Sequence, residues 1–290
     1  RKDLNYNLLG LPQYTAVFFN QANNKILENL SVRQALAHAL NKNEIVSEAL
    51  HGEGQVIEAP ILPGFIGYNP NISVYETDLN KANELLESSG WKFKDISKEE
   101  DQETPATDLV VPQVRYKDDE PLKITLTTVN RSENFKTAQL IQKMWQAIGV
   151  QTEIKLVESA EIQSSVIRKR NFEALLFGEI FGTDPDPYPF WHSSQAGENG
   201  LNLSNFINKE ADQVLEEARQ TSDPQSRHDK YIHFQNILNQ YLPAIFLYTP
   251  KYLYPISDQI KGMEVQVISN PSDRFANIED WYIKTKRSFR

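Results

Sequence analysis

The sequence predicts an α/β fold, and three observations carry that prediction. First, Leu122 to Val129 and Val150 to Val157 both alternate with period two, as half-buried strands do. Second, an amphipathic helix lies between them, with Phe135, Ala138, Ile141, Met144, Trp145 and Ile148 on one face and Gly149 at its end. Third, a further helix (Ile162, Val166, Ile167) leads to an apolar run from Phe172 to Phe177 that is too short for a helix. This βαβαβ order implies parallel strands joined by right-handed crossovers.

The rest of the 290-residue chain follows the same logic. Tyr14 to Asn20 reads as a strand rich in aromatic and β-branched residues. Two helices follow. Ser31 with Gln34, and Asn41 with Glu44, have capping-box spacing, in which side chains satisfy the unpaired N–H groups of a first turn. Val32, Ala35, Leu36, Ala39 and Leu40 form one apolar face. Arg33 sits near a helix start, where its charge opposes the dipole; a tertiary partner or solvent exposure would each account for it. Residues 59–70 form a Pro- and Gly-rich loop with apolar side chains. Asp78 caps a helix closed by Gly90, with Trp91 after it. Residues 94–120 are polar and charged, and are expected to be an exposed insertion with a hairpin through Leu109 to Val111. Ser132 is the expected cap of the helix after Val129, and Ser159 the start of the next. After a polar stretch at 197–208 come helices at 209–218 and 225–240, the second introduced by Asp223 and Pro224. Leu242 to Thr249 is a buried strand, Pro250 and Pro255 bound a separate extended piece, and Met263 to Ile268 gives a weak strand signal.

The strand at Phe172 runs into Asp184-Pro185-Asp186-Pro187, then Tyr188, Phe190 and Trp191. Alternating prolines continue neither a strand nor a helix. Two carboxylates therefore sit on a stiff loop at a strand end, beside aromatic surface. That suits recognition of a cationic group; an Asx-turn that only satisfies local N–H groups is the structural alternative. In α/β sheets, ligands bind outside the carboxyl ends of strands, where this loop falls.

Composition narrows the function. Net charge is −9, and Lys and Arg cluster only at 284–290, which argues against nucleic acid as a partner. The absence of cysteine excludes disulfides, thiolate metal sites and cysteine nucleophiles. No apolar run reaches membrane-spanning length. The chain opens at Arg1 in a polar segment, which reads as a mature form or an excised fragment. His38, His51, His192, His228 and His233 lack metal-ligand spacing. No G-x-S-x-G surrounds Ser193 and Ser194, and there is no phosphate-binding glycine loop. A glycosidase-like pair at Asp184 and Asp186 would need unusual geometry, being two residues apart on one loop. The expectation is a protein that is not an enzyme and needs no cofactor.

Four stretches carry a family resemblance. Phe19-Asn20 followed by Val32-Arg33-Gln34-Ala35-Leu36-Ala37-His38-Ala39-Leu40-Asn41-Lys42 and Ile45-Val46 is one. Asp78 to Trp91, Gln142 to Val150, and Phe181 to Gln195 are the others. In these the chain resembles the C-terminal portion of extracellular solute-binding proteins of family 5, the oligopeptide- and dipeptide-binding components of ABC importers. The resemblance implies a periplasmic-binding-protein-like lobe, a mixed sheet flanked by helices, with the other lobe largely absent. Residues 1–28 would be a crossover or hinge segment, 29–241 the C-terminal ligand-binding lobe, and 242–290 a return strand with a remnant of the N-terminal lobe. It further implies a monomeric extracytoplasmic receptor, periplasmic or at the cell surface. Such a receptor would be held to the membrane only through a lipid or N-terminal anchor outside this chain, and would deliver peptides to an ABC permease. Asp184 matches the aspartate that pairs with the peptide α-ammonium. Asp186, Tyr188 and Trp191 are the accompanying ligand-site candidates. Phe181 stands where the family has tryptophan, and only Pro185 separates the two aspartates. A nickel complex or an oligosaccharide is the alternative ligand, and a hydrolase using Asp184 and Asp186 the alternative function.

Overall fold

The computed structural model of the chain describes residues 3–94, 113–182 and 186–283. Strands β1 (Leu4–Gly10) and β2 (Gln13–Phe19) precede helices α1 (Leu30–His38) and α2 (Lys42–Ala49). Then come β3 (Gly54–Val56), α3 (Leu79–Ser88) and three small strands, β4 (Lys92–Phe93), β5 (Arg115–Lys117) and β6 (Glu120–Pro121). The expected unit follows as β7 (Lys123–Val129), α4 (Ser132–Gln146), β8 (Gln151–Val157) and β9 (Ala174–Ile180). After it come α5 (Tyr188–Trp191), α6 (Lys209–Gln220), α7 (Pro224–Tyr241) and β10 (Ala244–Ser257), and β11 (Ile260–Lys261) pairs with β12 (Tyr282–Ile283).

The main sheet runs β1-β10-β2-β9-β7-β8, with β3 also on β10. Strand β7 is parallel to both β8 and β9, as the crossover pattern requires. The pairs β9–β2, β2–β10 and β10–β1 are antiparallel, so the sheet is mixed. Alternation then splits the core in two. Ile124, Leu126, Ala174 and Leu176 pack with Leu36, Ile141 and Trp145 of α1 and α4. On the other face Phe18, Leu175 and Phe246 pack with Trp191, Leu215 and Phe234 of α5, α6 and α7.

Asn41, Asp78 and Asp223 cap their helices as expected, accepting from Glu44 N, Lys81 N and Ser226 N. Two caps differ. Asn29, not Ser31, caps α1, accepting from Ser31 N; α4 starts at Ser132 with no side-chain cap. The helix expected from Ser159 is a single π-type turn, Ile162–Ile167, whose wide winding still buries Ile162, Val166 and Ile167. Strand β10 runs unbroken through Pro250 and Pro255. Pro250 pairs only with Gly54 of β3 and Pro255 only with Tyr6 of β1, so each has a strand neighbour on one side and proline is tolerated. Strand β1 itself was not expected from the sequence.

Of the two readings open for Arg33, the tertiary partner holds and exposure does not. Its buried guanidinium donates to the carbonyls of Leu27, Glu28, Tyr241 and Leu242. Burial lowers its pKa to about 10. Within the insertion, Arg115 is buried rather than exposed, donating to Ile148 O and Trp91 O. The hairpin expected at Leu109 to Val111 and the basic stretch at 284–290 lie outside the described residues.

Candidate functional site: a cleft at the strand ends

Parallel pairing brings the carboxyl ends of β7, β8 and β9 to one edge of the sheet. A cleft of about 700 Å³ opens there. Val129 ends β7 and Arg131 follows it, Ser159 and Ile162 follow β8, and Phe177, Gly178 and Ile180 end β9. Gln13 and Thr15 of β2 and Lys251 and Tyr252 of β10 complete the wall. This is the place where an α/β sheet holds ligands.

The cleft mixes apolar surface with a few charges. Arg131 reaches Ser159, Nε to Oγ at 3.2 Å, and makes no ion pair among the described residues. Glu133 accepts from the Tyr248 hydroxyl at 3.2 Å. Burial, and then the nearby Glu133 charge, push the Tyr248 phenol up, so it stays a donor. Lys251 adds a second cation without an ion-pair partner among the described residues. Arg131 and Lys251 outnumber the one lining carboxylate, Glu133, and in a chain of net charge −9 this favours an anionic group on a ligand.

The aspartate loop leaves this cleft at Ile180. Asp184 lies outside the described residues. Asp186 is engaged on both oxygens: Oδ1 accepts from Tyr188 N at 3.0 Å and Oδ2 from Arg219 Nε at 2.7 Å. The Tyr188 ring is stacked on His192, centroids 4.1 Å apart, with the Arg219 guanidinium 3.9 Å from its centre. Trp191 is 1% exposed and packs between Phe18 and Phe246. Asp186, Tyr188 and Trp191 thus share one cluster against α6, and none is among the cleft-lining residues. His192 and the serines after it extend that cluster. His192 Nδ1 meets Ser194 Oγ at 2.8 Å and its Nε2 meets Glu216 at 3.3 Å, while Ser193 N donates to Asp212 at 2.8 Å.

Sequence reasoning passed over Arg131, Glu133, Lys251 and Tyr252. For Arg131 the signal was present, since it follows a parallel strand at its carboxyl end, as the aspartate loop does. The β10 residues had none, because their place depends on a strand running through two prolines.

An α/β fold with a ligand-sized cleft at its strand ends has the architecture of a binding protein. Residues 3–201 match the family model for bacterial extracellular solute-binding proteins, family 5 middle, and the chain belongs to that family. This places it among binding proteins rather than enzymes. No helix among the described residues is long and apolar enough to cross a membrane. The oligopeptide-binding protein AppA of Bacillus subtilis is 28% identical over 275 residues, 93% of this chain and 47% of that protein. Its structure with a nonapeptide superposes with a TM-score of 0.75 at 26% identity, covering 98% of this chain and 53% of AppA. NikZ of Campylobacter jejuni, in complex with Ni(L-His), gives a TM-score of 0.77 at 25% identity over 97% of this chain and 54% of its own. Heme-binding protein A of Haemophilus influenzae is 29% identical over 245 residues, 81% of this chain and 39% of that protein. The chain therefore spans about half the length of the relatives it matches, or less.

Proposed function

We propose that this chain is the C-terminal ligand-binding lobe, with its crossover and return segments, of an extracytoplasmic receptor that captures oligopeptides for an ABC importer. The observation that carries this is the charge arrangement at the strand ends. The cations Arg131 and Lys251 line the cleft, and the aspartate loop starts from the same strand edge. A peptide is a zwitterion of that kind. Its carboxylate pairs with Arg131, and Asp184 takes its α-ammonium, a charge-assisted hydrogen bond in part-desolvated surroundings. Asp186, Tyr188 and Trp191 hold the loop against α6 and shape the approach to it. The likeness to AppA with its nonapeptide supports this ligand class. Lobe closure on a hinge then buries the peptide, and the closed form docks on the permease.

Calorimetric titration of the complete receptor with a mixed oligopeptide pool, beside the same pool N-acetylated, tests this. Binding lost on acetylation and on Asp184→Asn supports the proposal. Equal binding of both pools sinks the Asp184 role. A second ligand class, a metal chelated by an amino acid, draws on the likeness to NikZ. The described residues offer no metal-holding group of their own, so the metal would arrive as a complex whose carboxylate faces Arg131. Binding of nickel–histidine but of neither peptide pool would favour it.

A further inference from the structure

The cleft wall formed by β2 and β9 has a second layer behind it. The register sets Gln13 opposite Ile180, Tyr14 opposite Glu179 and Thr15 opposite Gly178. Gln13, Thr15, Gly178 and Ile180 line the cleft, whereas Tyr14 and Glu179, the pair between them, are buried. There the Tyr14 hydroxyl donates to Glu179 Oε2. Directly opposed residues at a strand end fix register, and a one-residue slip would turn every side chain of the wall away from the cleft. Phe181 N donates to Pro12 O at 2.9 Å, just beyond the pair.

The surroundings make this carboxyl unusual. The Tyr14 ring packs 5.3 Å from Phe246 and 6.1 Å from Phe181, which in turn meets Phe65 at 5.4 Å. The Trp191 indole N–H, without a hydrogen-bond partner of ordinary geometry, faces the Tyr14 hydroxyl. Arg170, from the turn before β9, is the charged group that acts on Glu179. Its guanidinium is committed to Ile167 O, Gly200 O and Asn205 Oδ1. A glutamine would supply the same acceptor without a titratable proton. We propose that the Tyr14–Glu179 pair is a positioning device for the ligand cleft: buried and neutral it keeps β2 against β9 behind the wall, and ionising the Glu179 carboxyl draws water to the buried charge, parts the strand ends and weakens ligand binding. This rests on the cleft being the ligand site.

Burial pushes the Glu179 carboxyl up to about 8, against smaller downward pulls from Tyr14 and Arg170. At neutral pH it is uncharged and fits its aromatic pocket. Once ionised, it sits among rings with its nearest cation held elsewhere, and water can reach it only if the strand ends part. If only the neutral form holds the wall, the competent fraction near pH 9 is about one tenth of that near pH 7, so affinity falls about tenfold.

The test is peptide-pool affinity of the complete receptor from pH 6.5 to 9.5, for wild type, Glu179→Gln and Tyr14→Phe. The expected wild-type profile falls through pH 8 and the Glu179→Gln profile is flat. Tyr14→Phe, which loses the cross-strand bond, lowers affinity at every pH and also moves the fall to higher pH, because the hydroxyl stabilises the ionised carboxylate. Parallel wild-type and Glu179→Gln profiles overturn the proposal. If Glu179→Gln does not fold, an unmoved midpoint in Tyr14→Phe overturns it instead. Amide exchange at Gly178 to Ile180, compared between the proteins at each pH, needs no ligand. Greater loss of protection in wild type than in Glu179→Gln above pH 8 sustains the proposal even if no peptide binds, and equal loss ends it.

Discussion

Asp186 Oδ2 accepts from Arg219 Nε at 2.7 Å, and the same guanidinium lies 3.9 Å from the centre of the Tyr188 ring. One arginine on α6 therefore holds the descending arm of the aspartate loop by charge and by stacking. Asp186 has protein partners on both of its oxygens.

On the proposed function, Asp186 anchors the loop and Asp184 meets the ligand. The Asp186–Arg219 pair is partly exposed, with side chains 20% and 45% accessible, so Arg219→Ala should cost only about 0.5–1 kcal/mol in urea unfolding. Asp184→Asn should leave unfolding unchanged and remove N-terminus-dependent peptide binding. Were Asp186→Asn to abolish binding with stability intact, Asp186 would be the ligand group and not the anchor.

Arg131 is expected to read the other end of the ligand. Arg131→Ala should weaken peptides with a free carboxyl terminus by about 1.5–3 kcal/mol, roughly 10- to 150-fold, and leave C-terminally amidated peptides nearly unaffected. Equal losses for acid and amide forms, measured by calorimetry, would show that Arg131 shapes the cleft without pairing to the carboxylate.

Arg33 ties two distant segments together. It fills the carbonyls at Leu27 and Glu28 and those at the end of α7, Tyr241 and Leu242. Leu242 is left-handed, at φ 45°, so that helix end is already a strained stop. Arg33→Met keeps the apolar stem but leaves these acceptors bare. It should lower unfolding free energy by about 2–4 kcal/mol, and Arg33→Lys should recover only part. A loss below about 0.5 kcal/mol in chemical denaturation would contradict this account.

The burial of Glu179 also sets a pH dependence of stability. An acid whose folded pKa is raised binds its proton more tightly in the native state than in the unfolded chain. Its contribution is therefore fully present below pH 4.5 and is lost as pH rises towards about 8. Glu179→Gln should accordingly gain on wild type across that window, levelling above it, by on the order of a few kcal/mol at most. Melting temperatures from pH 5 to 9 would show a widening gap; a constant gap would rule it out.

Local sequence carries the elements that depend on neighbours a few residues away. Alternation gave β7 and β8, and helical spacing gave the buried faces of α1 and α4. Asn41, Asp78 and Asp223 caps were legible because each side chain bonds an N–H three residues on. It also placed the aspartate loop at a strand end and carried the four stretches of family 5 resemblance. Tertiary structure alone decided what depends on partners far along the chain. Arg33 is satisfied by carbonyls more than 200 residues away, and Glu179 by Tyr14, 165 residues earlier. Lys251 and Tyr252 reach the cleft because β10 continues through two prolines, each with a strand neighbour on one side only, β3 at Pro250 and β1 at Pro255. Periodicity and capping are short-range and survive in one dimension. Burial, ion pairing and the shape of a cleft arise from surfaces that meet only after the chain has folded.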